Sequence, residues 1–125
     1  MTLDHITIRT HHLIELRDFM VEIFGLVDGP RPATIVASVN GHWLYHGDWP
    51  LIHLIQSNFV PEEYPKNAEA LDHFAFVLND YEAFKQKLID KKIPFEMMDI
   101  PEMSRKRIFL HAPNGVLIET IFEGQ

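Results

Sequence analysis

Four residues with the chemistry of metal ligands recur in two matched halves of the chain, and they are His5, His53, His73 and Glu119. His5 and His53 are 48 positions apart (53 − 5), and His73 and Glu119 are 46 positions apart (119 − 73). Each residue interrupts a short apolar stretch that is typical of a β-strand. Imidazole and carboxylate groups bind divalent transition metals, so the spacing predicts a metal site built from a duplicated module.

An ordinary structural role is the alternative for each of these residues. Glu119 shares a strand face with Leu117 and Ile121, where a carboxylate is costly unless it is paired or bound to a metal. It could pair with Arg107 or Arg9, and the histidines could be plain core or surface groups. Eight histidines make the chance placement of one or two easy. Placement at the first and last strand of both halves favours the metal site.

Length and composition exclude several classes of function. A chain of 125 residues is long enough for one compact domain or for two small halves over a shared core. The net charge is −7, from 11 basic and 18 acidic residues, which argues against nucleic-acid and membrane partners. The chain has no cysteine, no signal-like start and no apolar run near the ~20 residues that span a bilayer. We expect a soluble, cytoplasmic protein.

The first half is predicted to contain a strand, a helix and three more strands. Alternation over residues 3–9 places His5 and Arg9 on one face of the first strand. Apolar spacing predicts a helix over residues 12–24, and Gly25 follows it as a helix-ending glycine. The β-branched run 34–39 predicts a second strand, and Asn40-Gly41 predicts a hairpin after it. Further strands are predicted over residues 42–46 and 51–56.

The second half repeats that order after a linker. Module one is predicted at residues 1–57, the linker at 58–69 and module two at 70–125, together forming a single domain. Asn79 or Asp80 is expected to cap a helix with the apolar positions Tyr81, Phe84 and Leu88. Strands are predicted over residues 71–78, 94–98, 105–111 and 116–122. The predicted fold class is α+β, with paired β-α-β-β-β modules.

Four stretches of the sequence resemble a known superfamily. They are Leu3-Asp-His5-Ile, then Gly41-His-Trp-Leu-Tyr45 leading to Ile52-His53-Leu-Ile-Gln56, then Leu71-Asp-His73-Phe-Ala-Phe76, and Ile108-Phe-Leu-His-Ala-Pro-Asn-Gly115 running into Leu117-Ile-Glu119. The sequence is similar over essentially its whole length to the vicinal oxygen chelate superfamily. Members include glyoxalase I, methylmalonyl-CoA epimerase, fosfomycin-resistance thiol transferases, extradiol dioxygenases and bleomycin-binding proteins. The resemblance implies that two modules form a cup of curled sheets around one metal.

The resemblance also implies roles for the four candidate ligands. His5 and His73 match the first-strand histidines of the family, and Glu119 matches its last-strand carboxylate. His53 falls at the remaining last-strand position, where glyoxalase I and the epimerases carry Glu or Gln. The dioxygenase and fosfomycin types use only two histidines and one carboxylate. The implied cofactor is a divalent metal, namely Ni, Zn, Mn, Co or Fe.

The leading functional prediction is a metal-dependent lyase or isomerase of the glyoxalase type. Its substrate would be a small α-hydroxy or α-keto carbonyl compound that chelates the metal through two oxygens and reacts through an enediolate. By resemblance, Glu119 would be the catalytic base. One alternative is an Fe(II) extradiol-type dioxygenase that uses only His5, His73 and Glu119. The other is a non-catalytic, ligand-sequestering protein of the bleomycin-resistance type.

Substrate-binding residues and a partner chain complete the predictions. Trp43 and Tyr45 are expected to line a pocket, and Arg9 and Arg107 to hold an anionic small-molecule substrate. Relatives of this length form two-fold dimers, so we expect a homodimer. One arrangement places His5 and His53 opposite His73 and Glu119 of the other chain. Such a dimer would also cover apolar walls at Leu51, Ile55, Ala75 and Ile121.

Overall fold

The computed structural model describes residues 2–58 and 73–124, and the chain divides into two compact units, Met1–Ala68 and Glu69–Gln125. Unit 1 contains, in chain order, β1 (Ile6–Thr10), α1 (Leu13–Phe24), β2 (Val27–Gly29), α2 (Ala33–Ser38), β3 (Gly41–His46) and β4 (Trp49–Gln56). Its four strands form one sheet in the order β1-β4-β3-β2. Strands β1 and β4 are parallel, and the other neighbours are antiparallel.

Unit 2 repeats this architecture. It contains β5 (Phe74–Val77), α3 (Tyr81–Asp90), β6 (Phe95–Met97), a 3₁₀ turn (Pro101–Met103), β7 (Arg105–His111) and β8 (Leu117–Glu123). The sheet order is β5-β8-β7-β6, again with one parallel pair, β5 and β8. The predicted α+β fold of paired β-α-β-β-β modules is confirmed. No helix in residues 2–58 or 73–124 is long and apolar enough to cross a membrane.

Each sheet buries one face against its own helices. In unit 1, period-two alternation buries Leu44, Ile52 and Leu54 on the side where α1 packs. In unit 2, Phe122 contacts the rings of Tyr81 and Phe84 from α3. Burying an aliphatic or aromatic side chain of this size contributes roughly 1.5–3 kcal/mol, so these faces anchor the sheets. We call the opposite face of each sheet its open face.

Both predicted helices form where their signals placed them. Helix α1 ends at Gly25, whose φ of 70° lies in the left-handed region that glycine adopts without steric cost. Helix α3 begins after Asp80, whose Oδ1 accepts a hydrogen bond from the Ala83 amide at 3.0 Å. The apolar positions of α1 and α3 face the core. The helices therefore fix which face of each sheet remains open.

The predicted strand over residues 34–39 is wrong, because these residues form α2. The outer edge of β3 is already occupied by β2, which pairs Val27 with Tyr45. The β-branched run therefore cannot pair with β3, and within α2 the Ser38 hydroxyl donates to the Thr34 carbonyl at 2.7 Å. Tertiary context outweighs the weak strand propensity of such a run.

The predicted hairpin at Asn40-Gly41 is also wrong. Gly41 lies inside the ladder, paired with Ile55, and a Cβ atom there would sit 1.9 Å from the Leu54 carbonyl oxygen. Glycine is needed at position 41 because the backbone there lies close to the backbone of Leu54, and not because the chain turns. The hairpin of this unit joins His46 to Trp49 through residues 47–48.

The first strand of each unit starts later than predicted. The ladder of β1 begins at Ile6, opposite Ile52, and that of β5 begins at Phe74, opposite Ile118. His5 and His73 therefore lie one position before their strands. Residues 59–72, which include most of the predicted linker and the start of the strand predicted at 71–78, lie outside the described residues.

Candidate metal centre

The two strand ladders place the candidate ligands at equivalent register positions. Thr7 pairs with His53 in unit 1, and Ala75 pairs with Glu119 in unit 2. His5 and His73 each lie two positions before these paired residues. His5 lies beside His53 and His73 beside Glu119, and a contact within each pair is observed.

In unit 2 the pair is a hydrogen-bonded ion pair. His73 Nε2 donates to Glu119 Oε2 at 3.0 Å, and Arg107 Nη1 donates to Glu119 Oε1 at 3.0 Å. Glu119 is only 7% exposed, so both of its oxygens need partners. Arg107 Nε also donates to the Met98 carbonyl oxygen at 3.1 Å. The pairing of Glu119 with Arg107, foreseen as the ordinary structural role, is thus present together with the His73 contact.

The ring of Phe109 contacts both His73 and Arg107. It is paired with Glu119 across β7 and β8. The Cζ atom of Arg107 lies over the ring, 5.0 Å from its centroid, and the His73 ring packs against it in a T-shaped contact at 5.9 Å. A cation over an aromatic face and an edge contact are both favourable, so Phe109 restricts the orientation of both groups.

In unit 1 the pair is a stack of two imidazole rings. The imidazoles of His5 and His53 are 3.9 Å apart between centroids, with their planes inclined by 15°. On the other side of His53, the Trp43 ring lies at 4.2 Å with an inclination of 8°. Trp43 is the cross-strand neighbour of His53 on β3. His53 is therefore the middle ring of a three-ring stack.

Hydrogen bonds fix which ring nitrogens of this stack carry protons. His5 Nδ1 lies 2.6 Å from Asp4 Oδ2, and His53 Nε2 lies 3.1 Å from the Pro50 carbonyl oxygen. Because both oxygens are acceptors, these nitrogens donate. His5 Nε2 and His53 Nδ1 take no part in these two hydrogen bonds. Burial, and next the nearby His5, lower the pKa of His53 below its ordinary value of 6.5.

The two pairs differ in how well they fit a metal ion. Two donor atoms that each lie roughly 2.1 Å from one ion at about 90° are about 3.0 Å apart. The separation of His73 Nε2 and Glu119 Oε2, 3.0 Å, matches that distance. An imidazole binds a metal in the plane of its ring, so the nearly parallel rings of His5 and His53 do not converge on one ion as they lie. Among residues 2–58 and 73–124, no group of three or more His, Cys, Asp or Glu side chains is placed to hold a metal ion.

The remaining predicted residues are placed as follows. Trp43 is part of the stack, and Arg107 binds Glu119. Arg9 is exposed on β1, opposite Ile55. Tyr45 is directed to the β2 side of the sheet, where its hydroxyl donates to the Pro30 carbonyl at 2.5 Å. The described contacts of Tyr45 therefore hold it against the strand edge.

Sequence analysis missed four contributors to the site. Asp4 was assigned to the opposite strand face from His5, but the strand starts only at Ile6, so alternation does not apply to Asp4. The Pro50 and Met98 carbonyl groups are backbone acceptors with no sequence signal. Strand pairing, once known, would have identified Phe109 as the neighbour of Glu119.

Solved structures with the same fold are readily found. A glyoxalase family protein from Bacillus anthracis superposes with a TM-score of 0.76 at 24% identity, covering 98% of this chain and 95% of its own. The fosfomycin resistance protein FosX from Listeria monocytogenes gives a TM-score of 0.73 at 13% identity, covering 98% and 93%. Lactoylglutathione lyase from Agrobacterium tumefaciens gives 0.68 at 13% identity, covering 97% and 92%. No protein-family model and no curated protein matches the sequence. At these identities the comparisons show that the chain has the glyoxalase/dioxygenase-like fold, and they assign it no activity.

Proposed function

We propose that this chain is a metal-dependent lyase or isomerase of the glyoxalase type. The observation that carries the proposal is the contact between His73 Nε2 and Glu119 Oε2, with a nearly buried carboxylate on the open face of a sheet. The proposed ligands are His5, His53, His73 and Glu119, and one of the rings of His5 and His53 would have to leave their stack before both could bind one ion. A bound divalent cation would supply Lewis-acid chemistry toward two neighbouring oxygens of a small carbonyl substrate.

Glu119 is the residue suited to move a proton. Its Oε1 is held by Arg107, so the carboxylate cannot turn freely, and its Oε2 is the atom shared with His73. A carboxylate with one oxygen fixed and the other directed to the open face can accept the proton next to the substrate carbonyl. Arg107 balances its charge, and Phe109 limits the access of water from one side.

A cavity beside this site could accept the body of a substrate. It has a volume of about 480 Å³, within the range of small-molecule sites. Phe109 is part of its wall and also contacts His73, and Leu117 lies two positions before Glu119 on the same strand face. The lining is mainly apolar, with Glu96 and His111 as its ionisable groups. These contacts support an α-hydroxy or α-keto carbonyl substrate with a small apolar substituent.

The proposal can be tested by loading chelator-treated protein with Ni, Zn, Mn or Co and offering hemithioacetals and acyl-CoA epimers. Glu119→Gln should lower turnover roughly 100-fold or more, because the base is lost while the shape is kept. Glu123→Gln is the matched control on the same strand, since Glu123 is exposed and pairs with Arg105. Absence of turnover with every metal and substrate would contradict the proposal.

The second candidate function is an Fe(II)-dependent dioxygenase. The stacking of His5 on His53 favours it, because a stacked His53 leaves two histidines and one carboxylate as ligands, which is the set of non-haem iron oxygenases. Oxygen uptake with Fe(II)-loaded protein and a catechol would support this candidate. Absence of uptake, together with hemithioacetal turnover, would eliminate it.

We also propose a homodimer with two equivalent metal sites. Ala75 and Val77 are exposed on the open face of unit 2, and Leu51 and Ile55 are partly exposed in unit 1, which supports coverage by a second chain. Mixing His5→Ala subunits with Glu119→Ala subunits should restore one intact site per heterodimer if sites are shared between chains. A monomeric mass in solution would refute the dimer. A dimer whose activity does not recover on mixing would instead indicate sites within one chain.

A further inference from the structure

We propose that Glu96 sets the substrate specificity of the site in unit 2 by selecting a substrate whose apolar substituent ends in a cationic group, such as an ammonium. The proposal rests on the proposed function and deepens it, because it names the chemical class of the substituent. It replaces the expectation of an anionic substrate held by Arg9 and Arg107. The cavity and the carboxylates that support it all lie in unit 2.

A row of three side chains crosses the sheet of unit 2. Glu96 on β6 is paired with Phe109 on β7, and Phe109 is paired with Glu119 on β8. Residues directly opposite each other in an antiparallel pair lie on one face of the sheet, so all three share the open face with Glu119. Neighbouring strands are about 4.8 Å apart, which puts the backbones of the two glutamates about 10 Å apart with Phe109 between them. A substrate that reacts at Glu119 and extends across Phe109 therefore brings its far end to Glu96.

The cavity of about 480 Å³ follows this row. Glu96 and Phe109 belong to its wall, and so does Leu117, which lies two positions before Glu119 on the same strand face. The other members of the wall are Pro94, Phe95, Met98, Leu110 and His111. A hydrocarbon chain gains free energy when it leaves water for such a mainly apolar wall. The substituent is therefore held by apolar contact along most of its length and meets a carboxylate at its far end.

The carboxylate of Glu96 is available to a ligand. Glu96 is exposed, and within residues 2–58 and 73–124 it has no hydrogen-bond or ion-pair partner. Histidine side chains are ordinarily neutral at pH 8, so Glu96 supplies the single formal charge on the described wall of the cavity at that pH.

The guanidinium that could have attracted an anion is already bound. Arg107 lies over the Phe109 ring, but its Nη1 donates to Glu119 and its Nε donates to the Met98 carbonyl oxygen. No lysine or arginine belongs to the described wall of the cavity. An anionic substituent would therefore meet the Glu96 carboxylate with no free cation on that wall to balance it, whereas a cationic one would form an ion pair.

The test compares three hexyl probes that differ in the charge of their end group, namely hexylammonium, 1-hexanol and hexanoate. NMR titrations of chelator-treated protein at pH 8 would follow the methyl signals of Leu117, which report on the cavity. We expect the Kd to rise in the order in which the probes are named. Hexylammonium should bind about fivefold more tightly than hexanol, which is the gain that a partly exposed ion pair can give, and hexanoate should bind more weakly than hexanol.

Variants of Glu96 separate this carboxylate from the net charge of −7 on the whole chain, which attracts any cation. Glu96→Gln should bring the Kd values of the three probes within about twofold of one another, and Glu96→Lys should reverse their order. Glu102→Gln is the control and should keep the wild-type order, because Glu102 is exposed and is not part of the cavity wall.

Three results would overturn the proposal. They are equal Kd values for the three probes in the wild type, a preference for hexylammonium that persists in Glu96→Gln, and Leu117 signals that none of the probes shifts. The titrations use metal-free protein and need no turnover. A lack of turnover with every metal and substrate would therefore contradict the proposed function, while the order of the Kd values would still decide the role of Glu96.

Discussion

The two units use the same strand register to build opposite electrostatic environments. In unit 1 the register positions bring together three flat rings, two imidazoles and an indole. In unit 2 they bring together an imidazole, a buried carboxylate and a guanidinium. Gly41 on β3 and Arg107 on β7 occupy equivalent positions in the two units. Gly41 pairs with Ile55, two positions after His53, and Arg107 pairs with Ile121, two positions after Glu119.

The residue at this equivalent position, Gly41 or Arg107, determines whether the neighbouring candidate ligand can be a carboxylate. A glycine at position 41 lets the backbone approach Leu54 and contributes no charge. An arginine at position 107 supplies the positive charge that makes a carboxylate at position 119 tolerable in a nearly buried place. Unit 1 has a histidine where unit 2 has this carboxylate, which agrees with the absence of a guanidinium partner in the stack.

The largest expected effect comes from removing the charge that supports Glu119. Arg107→Gln should lower the free energy of unfolding by about 3 kcal/mol, because it leaves a nearly buried carboxylate with His73 as its remaining partner in the pair. Urea denaturation measures the loss. Arg105→Gln is the control on the same strand, because its partner Glu123 is exposed and an exposed pair contributes no more than about 1 kcal/mol. Equal losses in the two variants would contradict the conclusion that Arg107 makes the nearly buried carboxylate of Glu119 tolerable.

The second effect tests the glycine of unit 1. Gly41→Ala should destabilise the protein by about 2 kcal/mol, because the added methyl group meets the Leu54 carbonyl oxygen and the backbone must move. Gly29→Ala is the matched variant, since its Cβ would meet side-chain atoms of Tyr45 and not the backbone. Thermal unfolding should show a smaller loss for Gly29→Ala. The reverse order would refute a special role for Gly41.

The part of the fold that depends on local pattern could be predicted from the sequence. Apolar spacing and the Gly25 and Asp80 signals located both long helices, and alternation put Glu119 on the correct strand. The strand predicted over residues 34–39 failed because pairing depends on which edge is free, and β2 occupies it. The three-ring stack was not predictable, because alternation along a strand indicates the sheet face on which a side chain lies but not the orientation of its ring plane. The pairing of Glu119 with Arg107 was foreseen only as an alternative to metal binding, whereas the structure shows that pairing together with the His73 contact.

The smallest expected effect is a pH dependence of unit 1. Burial and the neighbouring His5 lower the pKa of His53 below 6.5. The unfolded chain therefore takes up the proton first as the pH falls, so stability is fully present above 6.5 and is lost from 6.5 down to the folded-state pKa. His53→Phe should weaken this acid-side loss. Urea unfolding of chelator-treated protein at several pH values between about 5 and 8 would measure it. An identical slope in the variant would contradict the assignment to His53.

Metal binding at the His73–Glu119 pair is the central claim, and a calorimetric titration with elemental analysis tests it most directly. Chelator-treated wild type, His73→Ala and Glu119→Gln would be titrated with Zn, Ni, Co and Mn, with Glu123→Gln as the control on β8. We predict about one ion per chain with a Kd below about 1 μM for at least one metal in the wild type and the control, and a loss of roughly 100-fold or more in the two site variants. Wild-type protein that binds none of the four metals, or site variants that bind as tightly as the control, would contradict the claim.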